Sequence, residues 1–209
     1  MTTAKDLFII AMDPERSVGQ GDLSLALAGA ELIDLIGAGA VALDSDRIVP
    51  GGPATPDDRL MREAASGLTR QAPYERIDDW LWRRGRDLSS TYQAALEQDG
   101  ELTRKRSGRL PFGSERMEPA DTSAHRSAAD RGKEDPVLAA LASVMGIDGE
   151  RSDDADDADD ADEDVEPGLD DEAVTTVVAA VHDAVMELEA VRQRRSIEKA
   201  AFANVWRGP

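Results

Sequence analysis

The sequence contains no cysteine. That removes disulfide scaffolds, thiolate zinc sites and cysteine nucleophiles, and it suits a reducing compartment. Aromatics are scarce: they make up 4% of residues, against 41% hydrophobic residues overall, so a core has to be assembled from Leu, Ala, Val and Ile. Apolar runs are short, and none approaches the roughly 20 residues of a membrane-spanning helix. Residues 1–6 lack the basic start and apolar stretch of a secretory leader. The expectation is a cytoplasmic protein that meets a membrane only at its surface. The only histidines, His125 and His182, have no Ser or carboxylate partner at a catalytic spacing. Gly19-Gln20-Gly21 precedes a helical pattern but lacks a third glycine and a buried strand before it, so no phosphate-cradling loop is read there. Neither an enzyme nor a cofactor or metal site is expected.

Basic charge is also in short supply. Lys and Arg total 24 against 43 Asp and Glu, a net charge of -19 over 209 residues. Taken whole, this disfavours nucleic acid and anionic membranes. The distribution is uneven, however. Between Glu134 and Ala190 the only Lys or Arg is Arg151, whereas between Arg70 and Lys133 basic residues slightly outnumber acids. Charge acts locally when the Debye length is about 8–10 Å, so the basic middle of the chain can act independently of the acidic remainder.

Periodicity predicts a mainly α protein: a compact helical domain with small β-hairpins, in two loosely repeated winged-helix-like units. Residues 5–12 are a short apolar segment, either helix or strand. Asp13-Pro14-Glu15-Arg16 reads as a turn, and Asp22 as the cap of a strongly apolar helix from Leu23 that ends at Gly37 and Gly39. Apolar residues on either side of Asp44-Ser45-Asp46 predict a hairpin over 40–50. Thr55 is read as a cap with Pro56 at the first helical position. Ile77, Trp80 and Leu81 mark a helix face, and Leu88, Tyr92, Ala95 and Leu96 mark another, closed by Gly100. A second hairpin is predicted over 101–113, turning at Ser107-Gly108. Residues 114–135 read as a polar connection or charged helix, and 136–145 as a helix. The core is thus expected over 1–147. Residues 148–168, built on an Asp-Asp-Ala repeat, are expected to be a disordered acidic linker; the repeat lacks the glycine and terminal glutamate of an EF-hand loop. A long helix is expected within 169–209, packed on the core through Val174, Val177, Val178, Val181, Val185 and Leu188 and continuing to Phe202 or Trp206.

Four stretches carry a resemblance to a known family. They are Asp6-Leu7-Phe8-Ile9-Ile10-Ala11-Met12-Asp13; Leu27-Ala28-Gly29-Ala30-Glu31-Leu32-Ile33-Asp34-Leu35 with residues 39–43; Asp79-Trp80-Leu81 with residues 88–102; and residues 136–145. In order and spacing they resemble the Golgi phosphoprotein 3 family, in its short bacterial, actinobacterial branch, over residues 5–147. The resemblance implies an all-α core with small hairpins and no catalysis. It also implies a peripheral membrane adaptor that binds phosphatidylinositol 4-phosphate at a basic pocket. In eukaryotic members that pocket is lined by a loop tryptophan and three arginines. The tryptophan position falls near Gly19, the arginine of the first buried helix at Ala28, and those of the central helix at Arg86 and Ser89. Of these only Arg86 is retained.

Arg83, Arg84 and Arg86 are accordingly the candidate headgroup-binding residues, since guanidinium grips phosphate oxygens bidentately. The competing reading pairs them with Asp78, Asp79 and Asp87 along a solvated helix edge. Arg104, Lys105, Arg106 and Arg109, with Leu110 and Phe112, are the candidate membrane-contact hairpin. Trp80 is expected in the core and Trp82 half exposed. The functional expectation is a non-enzymatic adaptor on an anionic membrane surface, with phosphatidylinositol 4-phosphate or another acidic phospholipid as ligand; a protein cargo and self-association are compatible with it. The alternatives are a protein-interaction scaffold that has lost lipid binding, and a winged-helix DNA-binding regulator, which the net charge disfavours.

Overall fold

In the computed structural model, residues 2–13, 18–52, 56–106, 115–120, 122–147 and 171–205 are described. Among them the chain is mainly α, with eight helices and two separate two-stranded antiparallel hairpins.

Residues 5–12, helix or strand from sequence, resolve to a helix, α1 (Thr3–Ala11), capped by the Thr2 hydroxyl, which accepts from the Lys5 N–H. Its Leu7, Phe8 and Ile9 are buried. The Asp34 carboxylate accepts from the Thr3 N–H and hydroxyl, which pins the start of α1 to the next helix.

That next helix, α2 (Gln20–Gly37), is the axis of the molecule. Nearly every residue from Leu23 to Leu35 is buried. The helix therefore has no solvent face to display, and its neighbours surround it. It starts three residues earlier than the sequence suggested, with Gly19 as N-cap and no side-chain capping bond. Asp22 is not the cap. It lies in the first turn, where a carboxylate suits the positive end of the helix dipole, and it is bound by a distant arginine described below.

The helix closes on Gly39 at φ +67, with Gly39 N–H donating to Ile36 O and Ala40 N–H to Leu35 O, both at 2.9 Å. This is the left-handed ending that glycine adopts without a Cβ penalty. The chain passes directly into β1 (Val41–Asp44) and β2 (Arg47–Pro50), paired Leu43 to Ile48 and Asp44 to Arg47, as the alternation predicted.

Next comes α3 (Arg59–Ser66). Its cap is Asp58, whose carboxylate accepts from the Leu60 and Met61 N–H groups. The helix does not start at Thr55 and Pro56 as expected: Pro56 lies three residues before its first residue, and Thr55 lies outside the described residues. Two helices, α4 (Ile77–Arg84) and α5 (Leu88–Gln98), follow with the predicted faces: Ile77, Trp80, Leu81, Leu88, Tyr92, Ala95 and Leu96 are all buried. α5 ends as α2 does, on Gly100 at φ +74, and again leads into a hairpin. The loose repeat seen in the sequence, helix, helix, hairpin, is α1 and α2 with the first hairpin and, after α3, α4 and α5 with the second.

The second hairpin differs from its prediction. β3 (Leu102–Arg106) pairs with β4 (Glu115–Pro119), Leu102 opposite Pro119 and Arg106 opposite Glu115. The returning strand lies beyond residue 113, so Ser107-Gly108 does not join the strands as a two-residue turn. Strand character in Glu115-Arg116-Met117-Glu118-Pro119 is carried by pairing rather than by apolar alternation, and the pattern therefore missed it.

The polar stretch after it forms α6 (Thr122–Glu134), tied to α1 by Arg131 donating to both Asp6 oxygens. α7 (Pro136–Val144) is capped by Asp135 with Pro136 at its first position. The Asp-Asp-Ala repeat, 153–162, lies outside the described residues. Finally α8 (Glu172–Val205) buries Val174, Val177, Val181 and Ala184 and packs on α2, α4 and α7. It packs tightly on α2 at Gly29, where a Cβ would fall 2.3 Å from Val181 Cγ2. Trp206, one of the two expected end points of this helix, lies outside the described residues.

Candidate functional site

The three candidate arginines sit at the end of α4 and in the Gly85-Arg86-Asp87 corner that leads into α5. Successive helical positions point about 100° apart, so neighbours in sequence part company in space. The structure sends each arginine to a different environment.

Arg83 sits over the Trp80 ring, its Cζ 5.2 Å from the centroid, and donates to both Glu75 oxygens at 2.6 and 2.7 Å. Its Nη2, which binds one Glu75 oxygen, also donates to the Gly67 carbonyl at 3.1 Å. Arg84 turns inward. It grips Glu31 of α2 bidentately at 2.7 and 2.9 Å and Glu63 of α3 at 3.1 Å. Glu31 is 0% exposed and also accepts from the Tyr92 hydroxyl at 3.1 Å. Burial pushes the Glu31 carboxyl above its ordinary value, and Arg84 and Tyr92 only partly offset this. Burial alone would lower Arg84, but its two carboxylates outweigh it and hold the guanidinium above its usual value. The carboxylate is thus the member of this pair that is easier to neutralise.

Arg86 is different. It is exposed on the corner, and among the described residues it has no ion pair or hydrogen bond. The competing reading for this cluster placed its partners at Asp78, Asp79 and Asp87. The acids engaged are instead Glu31, Glu63 and Glu75, and Asp78 meets Arg76 at 3.4 Å. The sequence-local acids lose because α4 turns Arg83 and Arg84 toward other elements.

The other positions implied by the family pocket are uncharged and occupied. Gly19 caps α2. Ala28 is buried, and its carbonyl accepts from Trp80 Nε1 at 3.1 Å. Ser89 is buried against Ser24, hydroxyl to hydroxyl at 2.9 Å. Trp80 is fully buried and Trp82 is 39% exposed, as expected.

On the second hairpin, the backbone places Arg104, Lys105 and Arg106 along β3 opposite Met117, Arg116 and Glu115. Arg109, Leu110 and Phe112 lie outside the described residues. An open groove between α4 and α8 is lined by Asp78, Glu172, Thr175, Thr176 and Asp183, so its charge suits no anion. Among the described residues no helix is long and apolar enough to cross a membrane.

Sequence reading missed the long-range pairs Glu31–Arg84, Asp6–Arg131 and Asp22–Arg192. A signal existed for the first: Glu31 is the only charged residue between Leu23 and Ile33 of an apolar helix, and a buried carboxylate requires a partner. Nothing in the sequence said which arginine.

No curated protein matches the chain. The family model of Golgi phosphoprotein 3 (GPP34) matches residues 4–188, from α1 into α8 as far as Leu188. The match covers most of the chain and every helix on which the arginine corner is built, and the protein therefore belongs to the Golgi phosphoprotein 3 (GPP34) family.

Proposed function

We propose that the protein is a non-enzymatic peripheral adaptor that docks on an anionic membrane surface, with phosphatidylinositol 4-phosphate or another acidic phospholipid as its ligand. One observation carries the reading: Arg86 is exposed and unpaired among the described residues, at the one position of the family pocket where an arginine is retained. A free guanidinium at a surface corner is available to a phosphate without first breaking an ion pair. Arg83 and Arg84 serve this reading as supports. Their bonds to Glu75, Glu31 and Glu63 fix the end of α4 and so the corner that presents Arg86. The β3–β4 hairpin, with Arg104, Lys105, Arg106, Arg109, Leu110 and Phe112 in its sequence, would be a second contact with the headgroup layer.

Arg86→Ala tests the site cleanly, because the side chain it removes holds nothing in place. Flotation with vesicles of phosphatidylcholine, with and without phosphatidylinositol 4-phosphate, is expected to show binding only with the acidic lipid and a clear loss in the variant. Equal flotation of wild type and Arg86→Ala sinks the site.

A second reading has its own support. Ala28 and Ser89 are buried and uncharged, and Arg83 and Arg84 are already neutralised, so a scaffold that binds a protein and no lipid also fits. In that case wild-type protein stays unbound on every vesicle while a partner co-purifies.

A further inference from the structure

α8 outruns the core it packs on. It is 34 residues long, about 51 Å. Its buried residues stop at Ala184, Leu188 is partly buried, and residues 193–199 are all exposed. α8 runs antiparallel to α2: Gly29 faces Val181, while Gly21 faces Leu188 and Arg192. The last 13 residues of α8 therefore extend past the first turn of α2, an overhang of about 20 Å.

Charge changes where packing stops. From Glu172 to Ala190 the helix has four acids, Glu172, Asp183, Glu187 and Glu189, and no Lys or Arg. From Val191 to Val205 it has Arg192, Arg194, Arg195 and Lys199 against the single acid Glu198. The spacing is that of one stripe. Val174, Val177, Val181, Ala184 and Leu188 form the face against α2, and Arg192, Arg195 and Lys199 continue it at steps of four, three and four. The same face is apolar while it covers the core and cationic beyond it.

Arg192 anchors the changeover by donating to both Asp22 oxygens at 2.8 Å. Arg194, Arg195 and Lys199 have no ion pair or hydrogen bond among the described residues. Ile197, between them, is 68% exposed. An unpartnered helical segment of this length is marginal in water, and among the described residues this exposed cationic helix has no packed neighbour over 193–199.

We infer that this overhang, with Arg194, Arg195, Lys199 and Ile197, is a docking surface for an anionic phospholipid bilayer. Charge complementarity selects the occupant: cations without partners among the described residues match a layer of anionic headgroups, and Ile197, three positions from Arg194 and so on its side of the helix, adds an apolar contact. The overall charge of -19 does not prevent this. Arg195 and Lys199 lie about 9 and 15 Å beyond Glu189, past the Debye length of about 8 Å, and from Val191 to Val205 four cations stand against the single acid Glu198. The overhang also stands at the same end of the molecule as Arg86. Gly85 packs against Ser24, Ser89 bonds Ser24, and Arg192 bonds Asp22, so the corner and the overhang both flank the first two turns of α2. The inference rests on the membrane reading above, and it adds a contact beyond residue 188, where the family match ends.

The test uses the full chain, vesicles of phosphatidylcholine with and without phosphatidylserine, and two variants: Arg86→Ala and the triple Arg194→Glu/Arg195→Glu/Lys199→Glu. The triple variant is expected to lose vesicle partitioning by on the order of a hundredfold, the effect of removing three surface cations, with an unchanged circular dichroism spectrum. Amide exchange over 193–199, fast in the free protein, is expected to slow on acidic vesicles. Partitioning that the triple variant retains in full overturns the inference, and if Arg86→Ala has lost it the adaptor reading stands alone. Loss in the triple variant with Arg86→Ala unaffected upholds the overhang and refutes the Arg86 site. Tight, salt-sensitive binding to duplex DNA without binding to acidic vesicles overturns the lipid assignment.

Discussion

Arg84 and Glu31 form a bidentate ion pair between α4 and the central helix, and its carboxylate has no solvent access at all. Removing one partner leaves the other buried and uncompensated, which costs far more than the pair itself contributes. Arg84→Met is expected to destabilise the fold by about 3–5 kcal/mol, and the double variant Arg84→Met/Glu31→Leu should recover most of that loss. Urea denaturation of the wild type, both single variants and the double variant measures this; additive losses would show that the two residues are not coupled.

The same pair gives stability a pH dependence with a definite sign. Burial raises the Glu31 carboxyl above the value of 4.5 that it has when unfolded. The folded state therefore binds this proton more tightly than the unfolded state. Stability contributed by the group is full below pH 4.5 and is lost as pH rises through the raised folded value. The margin of wild type over Glu31→Gln should narrow across that window, as read from denaturation midpoints at a series of pH values.

Tyr92 is held in the same network. Burial, reinforced by the Glu31 charge, raises its phenol above the ordinary value of 10.0. In the folded protein Tyr92 should stay un-ionised as pH passes 10, and stability should fall as the unfolded state begins to lose the proton. An ultraviolet titration is expected to show this phenol ionising only together with unfolding. Tyr92→Phe removes a hydrogen bond to a carboxylate and should cost about 1.5–3 kcal/mol.

Gly29→Ala tests the contact between α2 and α8. Alanine in a helix interior gains about 1 kcal/mol over glycine, but the new methyl would stand 2.3 Å from Val181 Cγ2, a core side chain with nowhere to withdraw. Overpacking of this kind costs about 1–3 kcal/mol, so the net change is expected to be destabilising. Val181→Ala in the Gly29→Ala background should relieve part of it. A Gly29→Ala protein more stable than wild type in urea would mean that the two helices separate freely.

Most of the fold was legible because it depends on local pattern. The faces Ile77, Trp80, Leu81 and Leu88, Tyr92, Ala95, Leu96 follow from helical spacing, and the helix ends at Gly39 and Gly100 follow from residue type. Errors arose where partners distant in sequence decide the outcome. Asp22 reads as a cap until Arg192, 170 residues away, binds it. β4 is invisible as a strand because only its pairing with β3 makes it one. The arginine cluster was found as a cluster, but its division into two paired arginines and one without a partner among the described residues depends on Glu31, Glu63 and Glu75 arriving from other elements. The cationic end of α8 was visible as sequence. That it overhangs α2 was not, since this depends on where the core ends.

The way α8 closes the molecule makes its attachment a matter of binding within one chain. The residues between Ile147 and Asp171 tether it, while Val174, Val177, Val181 and Ala184 hold it against α2. A covalent connection supplies effective concentration. Two separately expressed pieces, 1–147 and 171–209, should therefore reassemble into the native fold. Their dissociation constant would measure what α8 contributes once the covalent connection, which makes assembly independent of dilution, is removed.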